Sequence, residues 1–249
     1  MYIMKEFLKK LIEIIVSIFK PKTDINMGVS IMDKKEFKSP IKILIDNGHG
    51  IDTAGKRSPY SATGVKPEIP FFEYRWNREV AQEVYQNLLS KGYDVEILVP
   101  ETEDISLGER VRRANIFCDK MGNKNVILIS IHANAVGNGT KWEKAQGWCA
   151  YTSVGKTESD KIAEFFYEEA RNLFSDRKIR TEKSDGDNDY EAGFYIIKNS
   201  KCPAILTENF FYDNIDDTLF ITSTEGKKKI IDLHVNAIIN YLEDKKGDK

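Results

Sequence analysis

The chain alternates between two hydrophobic rhythms. From residue 40 onward, short apolar runs suited to buried strands occur at 41–46, 95–99 and 126–132, separated by stretches at 72–90 and 106–119 whose apolar positions recur at helical spacing. Further strands are predicted at 147–153, 194–197 and 204–208, and further helices at 158–174 and 225–243. Strand and helix in turn, with strands apolar on both faces, is the pattern of an α/β domain on a mostly parallel sheet, because crossover helices cover both sides of such a sheet. The segment 184–193, rich in Gly, Asp and Asn, reads as a loop.

Ahead of this domain, Phe7, Leu8, Leu11, Ile12, Ile14, Ile15, Ile18 and Phe19 lie at helical spacing among Lys5, Glu6, Lys9, Lys10 and Glu13. The pattern predicts an amphipathic helix over residues 1–20. Its uncharged part is far shorter than the ~20 residues a spanning helix needs. Lysines before an apolar stretch also resemble a secretory signal, but Glu13 interrupts the stretch and no small-residue cleavage site precedes Pro21. Three readings therefore stand: a signal-like segment, contact with an anionic membrane surface, or packing on the domain or on a second copy. Residues 21–39 are polar and aperiodic, a linker to a compact domain at 40–249.

With 249 residues, 41% hydrophobic and 11% aromatic, the chain can bury a substantial core. Its 37 basic and 39 acidic residues leave a net charge of -2, which argues against nucleic acid as a partner. Cys118, Cys149 and Cys202 form no C-x-x-C pair, so neither a disulfide framework nor a cysteine zinc ribbon is expected. Metal chemistry would fall to carboxylates and to the three histidines, His49, His132 and His234.

Ligands of open α/β sheets gather beyond the carboxyl ends of the strands. Three predicted strands end in polar residues there: Asp46-Asn47-Gly48-His49-Gly50, Ser130-Ile131-His132-Ala133-Asn134 and Thr207-Glu208-Asn209. A lone histidine at a strand end is usually an ordinary polar residue, but two leaving the same sheet edge can converge on one metal ion. A catalytic zinc site keeps three protein ligands and one open position, so a carboxylate or a further imidazole is wanted. Glu73 fits, because the 73, 77, 80, 81, 84, 88 spacing puts it on the core-facing stripe of its helix. An acid there needs a partner, although complementing the helix dipole in the first turn is the simpler role.

The strings Asp46-x-Gly48-His49-Gly50, Glu73-x-x-x-Asn77, Ser106-Leu107-x-x-Arg110-Val111-x-x-Ala114-Asn115, Ser130-Ile131-His132-Ala133-Asn134 and Ile205-Leu206-Thr207-Glu208-x-Phe210 occur in the order seen in zinc-dependent N-acetylmuramoyl-L-alanine amidases of the Amidase_3 type. The chain resembles that family over residues 41–242. The resemblance implies a twisted six-stranded sheet flanked by helices, zinc held by His49, Glu73 and His132, and Glu208 as the catalytic carboxylate. It further implies hydrolysis of the amide joining N-acetylmuramic acid to L-alanine, with peptidoglycan or muropeptides as partners and action at the cell wall, reached by a signal or by phage-type release. A zinc peptidase acting on stem peptides and a non-catalytic wall-binding module are the alternatives. Candidate substrate contacts are Asn77, Asn134 and Tyr195, with Trp142 and residues 184–195 near the groove. The chain departs from the family at Ile51, where a further glycine is usual, and over 100–104, where the usual Arg and Asp do not align.

Other signals carry less. Asp185, Asp187 and Asp189 alternate as in a calcium loop, but Tyr190 stands where glycine is required and Ile196 where glutamate is. His234 lies on the apolar stripe of the last helix with Ile230, Ile231, Ala237, Ile238 and Tyr241, as a core residue would. Cys202 is expected to be a small buried hydrophobe. The run Lys227-Lys228-Lys229 is expected on a solvated helix face.

Overall fold

The computed structural model describes residues 36–60 and 70–247. The segment expected to be helical or signal-like at 1–20, and the linker as far as residue 35, lie outside the described residues. Six strands, β1 (Lys42–Asn47), β2 (Val95–Ile97), β3 (Val126–Asn134), β4 (Cys149–Thr152), β5 (Tyr190–Glu191) and β6 (Ala204–Phe211), form one sheet in the order β2-β1-β3-β6-β4-β5. The first four in that order run parallel, and β4 pairs antiparallel with β6. The helices are α1 (Glu73–Ser90), α2 (Leu107–Met121), α3 (Glu158–Leu173), α4 (Tyr195–Asn199), α5 (Ile215–Thr222) and α6 (Thr224–Gly247). No helix among the described residues is long and apolar enough to cross a membrane.

The two-residue period of the strands divides the core in two. Ile43 and Ile45 of β1, Ile127, Ile129 and Ile131 of β3, and Ile205 of β6 face α1, α3 and α6. Leu44, Val126, Leu128, Ala204 and Leu206 face the other way, toward α2 and α4. The same alternation, continued toward the carboxyl edge, sets Asp46, Ser130, His132 and Glu208 on the α2 and α4 side, with His132 beside Glu208 in register.

Residues 194–197, expected as a strand, are instead the cap and first turn of α4. Buried Ile196 and Ile197 pack toward α2, and one helical turn is too short for an apolar run to show its period. Helix α5 was not expected; Asn214 caps it by accepting from the Asp217 N–H at 3.1 Å. Two residues of the expected loop at 184–193 form β5. Asp189 is buried, accepting from the Thr152 hydroxyl at 2.6 Å, and burial raises its carboxyl to about 7. His234 is a core residue, held between Thr207 Oγ1 at 2.9 Å and the Ile230 carbonyl at 2.7 Å. Burial depresses its pKa to about 4. Cys202 is buried and free. The lysines at 227, 228 and 229 pair with Glu79, Asp232 and Glu225 on the surface of α6.

Candidate active site

Beyond β1 the chain turns sharply, and each residue of the turn has a reason to be what it is. His49 adopts φ 66°, a left-handed conformation uncommon outside glycine. A side chain on Gly48 would put Cβ 2.0 Å from Cε1 of the His132 ring, and one on Gly50 would put it 2.0 Å from the Asp104 main-chain nitrogen. Both glycines are therefore required by close approach. Below the turn, buried Asp46 accepts from Arg110 Nη1 at 2.7 Å and from the Ser130 hydroxyl at 2.6 Å.

Glu73 opens α1 with its main-chain N–H bonded to the Lys56 carbonyl at 3.0 Å. Its side chain is 1% exposed and reaches across to both histidines. Oε1 lies 3.0 Å from His132 Nδ1 and accepts from the Ala133 N–H at 3.2 Å; Oε2 lies 3.3 Å from His49 Nε2. Burial alone would raise this carboxyl, but the two imidazoles outweigh it and hold it well below the usual range. Burial lowers the His49 pKa; for His132 the desolvation is overcome by Glu73, which raises it. The three ligand atoms lie within 4.8 Å of one another, the group among the described residues able to hold a metal ion. Two imidazoles and a buried carboxylate with an oxygen lacking a hydrogen-bond partner suit a divalent cation with nitrogen and oxygen ligands.

Glu208 lies on β6 on the sheet face that carries His132, and its Oε2 is buried without a hydrogen-bond partner. Desolvation pushes its pKa up to about 8, opposed by the positive charges of His132 and Lys56 and reinforced by Glu73. A cation bound by the triad would favour the carboxylate form further. A cleft of about 270 Å³ opens beside these groups, lined by His49, His132, Asp104, Leu107, Arg110 and Ile196. Larger clefts of about 530 and 610 Å³ lie elsewhere and hold none of the triad, so volume does not locate the chemistry.

The structure thus gathers His49, Glu73 and His132, with Glu208 in register beside His132. Asn77, expected at the substrate, is fully buried; its amide donates to the Gly48 carbonyl at 3.1 Å and to Glu73 Oε1 at 3.4 Å, so it supports the ligands from behind. Asn134 ends β3 half-buried, its Oδ1 accepting from the Ala135 N–H at 2.8 Å. Tyr195 is exposed on α4, next to the cleft residue Ile196. The divergent segment 100–104 braces the turn: Glu101 pairs with Arg113 at 2.6 Å, and Asp104 accepts from the Thr53 hydroxyl at 2.6 Å. Two contributors escaped the sequence reading. Exposed Lys56 places its charge on both His49 and Glu208, and Arg78 bonds the His49 carbonyl. The only sequence signal for either was nearness to a ligand motif.

Comparison with known proteins points to one family. The chain is 29% identical over 202 residues to the N-acetylmuramoyl-L-alanine amidase CwlM of Bacillus licheniformis, spanning 80% of this chain and 67% of that one. It is 25% identical to the endolysin of Bacillus phage SPP1, over 82% of this chain and 67% of the endolysin. The crystal structure of the N-acetylmuramoyl-L-alanine amidase from Clostridium difficile 630 superposes with a TM-score of 0.65 at 25% identity, covering 82% of this chain and 98% of that one. The family Amidase_3, N-acetylmuramoyl-L-alanine amidase, matches residues 43–240, most of the chain, including both histidines, Glu73 and Glu208. With that family model matching about four fifths of its length, the chain belongs to the N-acetylmuramoyl-L-alanine amidase family.

Proposed function

We propose that the protein hydrolyses the amide between the lactyl group of N-acetylmuramic acid and L-alanine in peptidoglycan, using zinc held by His49, Glu73 and His132, with Glu208 as general base and then acid. The observation that carries this is Glu73: a carboxylate 1% exposed, facing two imidazoles at 3.0 and 3.3 Å, with Glu208, whose Oε2 is buried and unpartnered, in register beside His132. A binding module has no use for that second acid.

His49 Nε2, His132 Nδ1 and Glu73 present the donor atoms. When bound, zinc supplies a Lewis acid that polarises the scissile carbonyl and acidifies water. Glu208 takes the proton of the attacking water on its unpartnered Oε2 and returns it to the alanine nitrogen, which leaves as a neutral amine. Lys56 adds positive charge where negative charge develops on the substrate. Leu107 and Ile196 give the cleft an apolar flank. Asn134 and Tyr195 are assigned to substrate contact, and the protein acts at the cell wall.

The reading is tested by incubating purified cell walls with the protein and labelling newly exposed amino groups. The expected result is N-terminal alanine, abolished by a chelator and restored by zinc. New reducing sugar ends, or new N-termini other than alanine, would contradict it.

A further inference from the structure

Arg78 is neither a metal ligand nor part of the family strings quoted above, yet its guanidinium ties together the chain segments that carry two of the three ligands. Nη1 donates to the His49 carbonyl at 2.7 Å and to the Tyr74 carbonyl at 3.1 Å. Tyr74 directly follows Glu73. The remaining nitrogens, Nε and Nη2, donate to the Glu101 carbonyl at 3.1 and 2.8 Å. The His49 carbonyl also receives Arg110 Nη2 at 3.3 Å. Two cationic groups thus converge on the carbonyl of one of the two non-glycine residues at positive φ among the described residues.

A non-glycine residue in the left-handed region persists only where its surroundings over-determine it. Here the surroundings can be named. On one side Asn77 holds the Gly48 carbonyl at 3.1 Å; on the other the Thr53 hydroxyl accepts from the Gly50 N–H at 2.9 Å. Between them the His49 carbonyl is fixed by the arginines. Relaxing φ at His49 would swing this carbonyl away from Arg78 and turn the imidazole off Glu73.

We infer that Arg78 is a positioning residue that holds His49 in its left-handed conformation and so sets the imidazole for metal binding, an inference that rests on His49, Glu73 and His132 being the zinc ligands. Arg110 shares the bond but also neutralises buried Asp46, so its removal would confound folding with positioning. Arg78 is half-buried and donates only to main-chain carbonyls, so its removal leaves no buried carboxylate unpaired.

Two readouts test it, one without metal. In the metal-free protein, the Cα and Cβ chemical shifts of His49 report its φ. They are expected to move toward ordinary extended or helical values in Arg78→Ala and to return partway in Arg78→Lys, which can reach only some of the carbonyls. In a zinc competition titration against a chromophoric chelator, Arg78→Ala is expected to bind about 10- to 100-fold more weakly than the parent, the usual cost of removing a group that orients a metal ligand. Leu88→Ala is the control. It hollows the core behind the far end of α1 without touching His49 or the groups that hold it, and is expected to lower the melting temperature while leaving zinc affinity unchanged. Unmoved His49 shifts with parental zinc affinity in Arg78→Ala would overturn the inference, as would an equal loss of affinity in Leu88→Ala. If the parent itself bound no zinc, the ligand assignment would fall, and the metal-free shifts would still decide whether Arg78 sets His49.

Discussion

Gly48→Ala isolates the geometry of the metal site with a single methyl group. Gly48 does not sit at positive φ, so alanine adds no backbone strain, and its effect comes only from what its Cβ meets. That is the His132 ring, with Cε1 at 2.0 Å, Nε2 at 2.3 Å and Nδ1 at 2.5 Å. Carbon atoms in contact sit ~3.5–4 Å apart, so the ring must retreat by roughly 1.5 Å. Metal–ligand distances tolerate about 0.2 Å, so the displaced imidazole cannot serve as a ligand where it stands. It also leaves Glu73 Oε1, now at 3.0 Å. Overpacking costs about 1–3 kcal/mol, and a lost hydrogen bond to a charged group about 1.5–3 kcal/mol. Together these reach about 2.5–6 kcal/mol, roughly two to four orders of magnitude in zinc affinity. The assay is competition with a chromophoric chelator, with far-ultraviolet circular dichroism to confirm the fold. A Gly48→Ala protein that binds zinc like the parent would refute the reasoning, because it would show that the ring has another place from which to coordinate.

Three further outcomes are expected. Glu208→Gln should bind zinc as the parent does while kcat falls by about 10²- to 10⁴-fold, the usual contribution of a positioned acid–base group; equal losses in zinc affinity would reassign it as a ligand. Burial holds His234 at about 4 in the folded state against 6.5 normally, so the unfolded chain takes up a proton that the folded one resists. Its stabilising contribution, of order 3 kcal/mol, is full above pH 6.5 and is lost as the pH falls toward 4; the difference in urea midpoint between parent and His234→Leu should shift by that sense and size across the window. Asp189 behaves oppositely. Its pKa is raised from 3.8 to about 7, so the folded state keeps a proton the unfolded chain has released, and stability drops as pH rises through that range. Asp189→Asn should therefore raise the melting temperature at pH 8 by about 2–4 °C per kcal/mol recovered, with little change at pH 4.

What could be read from the sequence follows from which forces act locally. The parallel strands were legible because burial on both faces writes continuous apolar runs, and the two-residue period carried Asp46, Ser130, His132 and Glu208 to one face of the sheet. Glu73 was legible because an acid on a core-facing stripe demands a partner. Helix α4 was misread since Phe194, Tyr195, Ile196 and Ile197 are too few to distinguish periods of 2 and 3.6. Helix α5 escaped because its boundary rests on the Asn214 cap and its burial on tertiary packing, not on a stripe. Arg78 and Lys56 were invisible for a different reason. Charged residues on a helix flank or an exposed loop look solvated until the chain brings the His49 carbonyl or the Glu208 carboxyl beside them. Asn77 shows the converse: its amide, polar and next to a ligand motif, is consumed by Gly48 and Glu73, which only the folded chain reveals.

Glu208, together with His49, Glu73 and His132, directs water at the lactyl carbonyl of muramic acid, and digestion of defined muropeptides in ¹⁸O-labelled water with weighing of both products checks where that water goes. One heavy oxygen is expected in the lactyl carboxylate of the sugar product and none in a released peptide with free N-terminal alanine, with both products formed about 10²- to 10⁴-fold more slowly by Glu208→Gln. Label in a peptide carboxylate, or intact muropeptide alongside bound zinc, would contradict it.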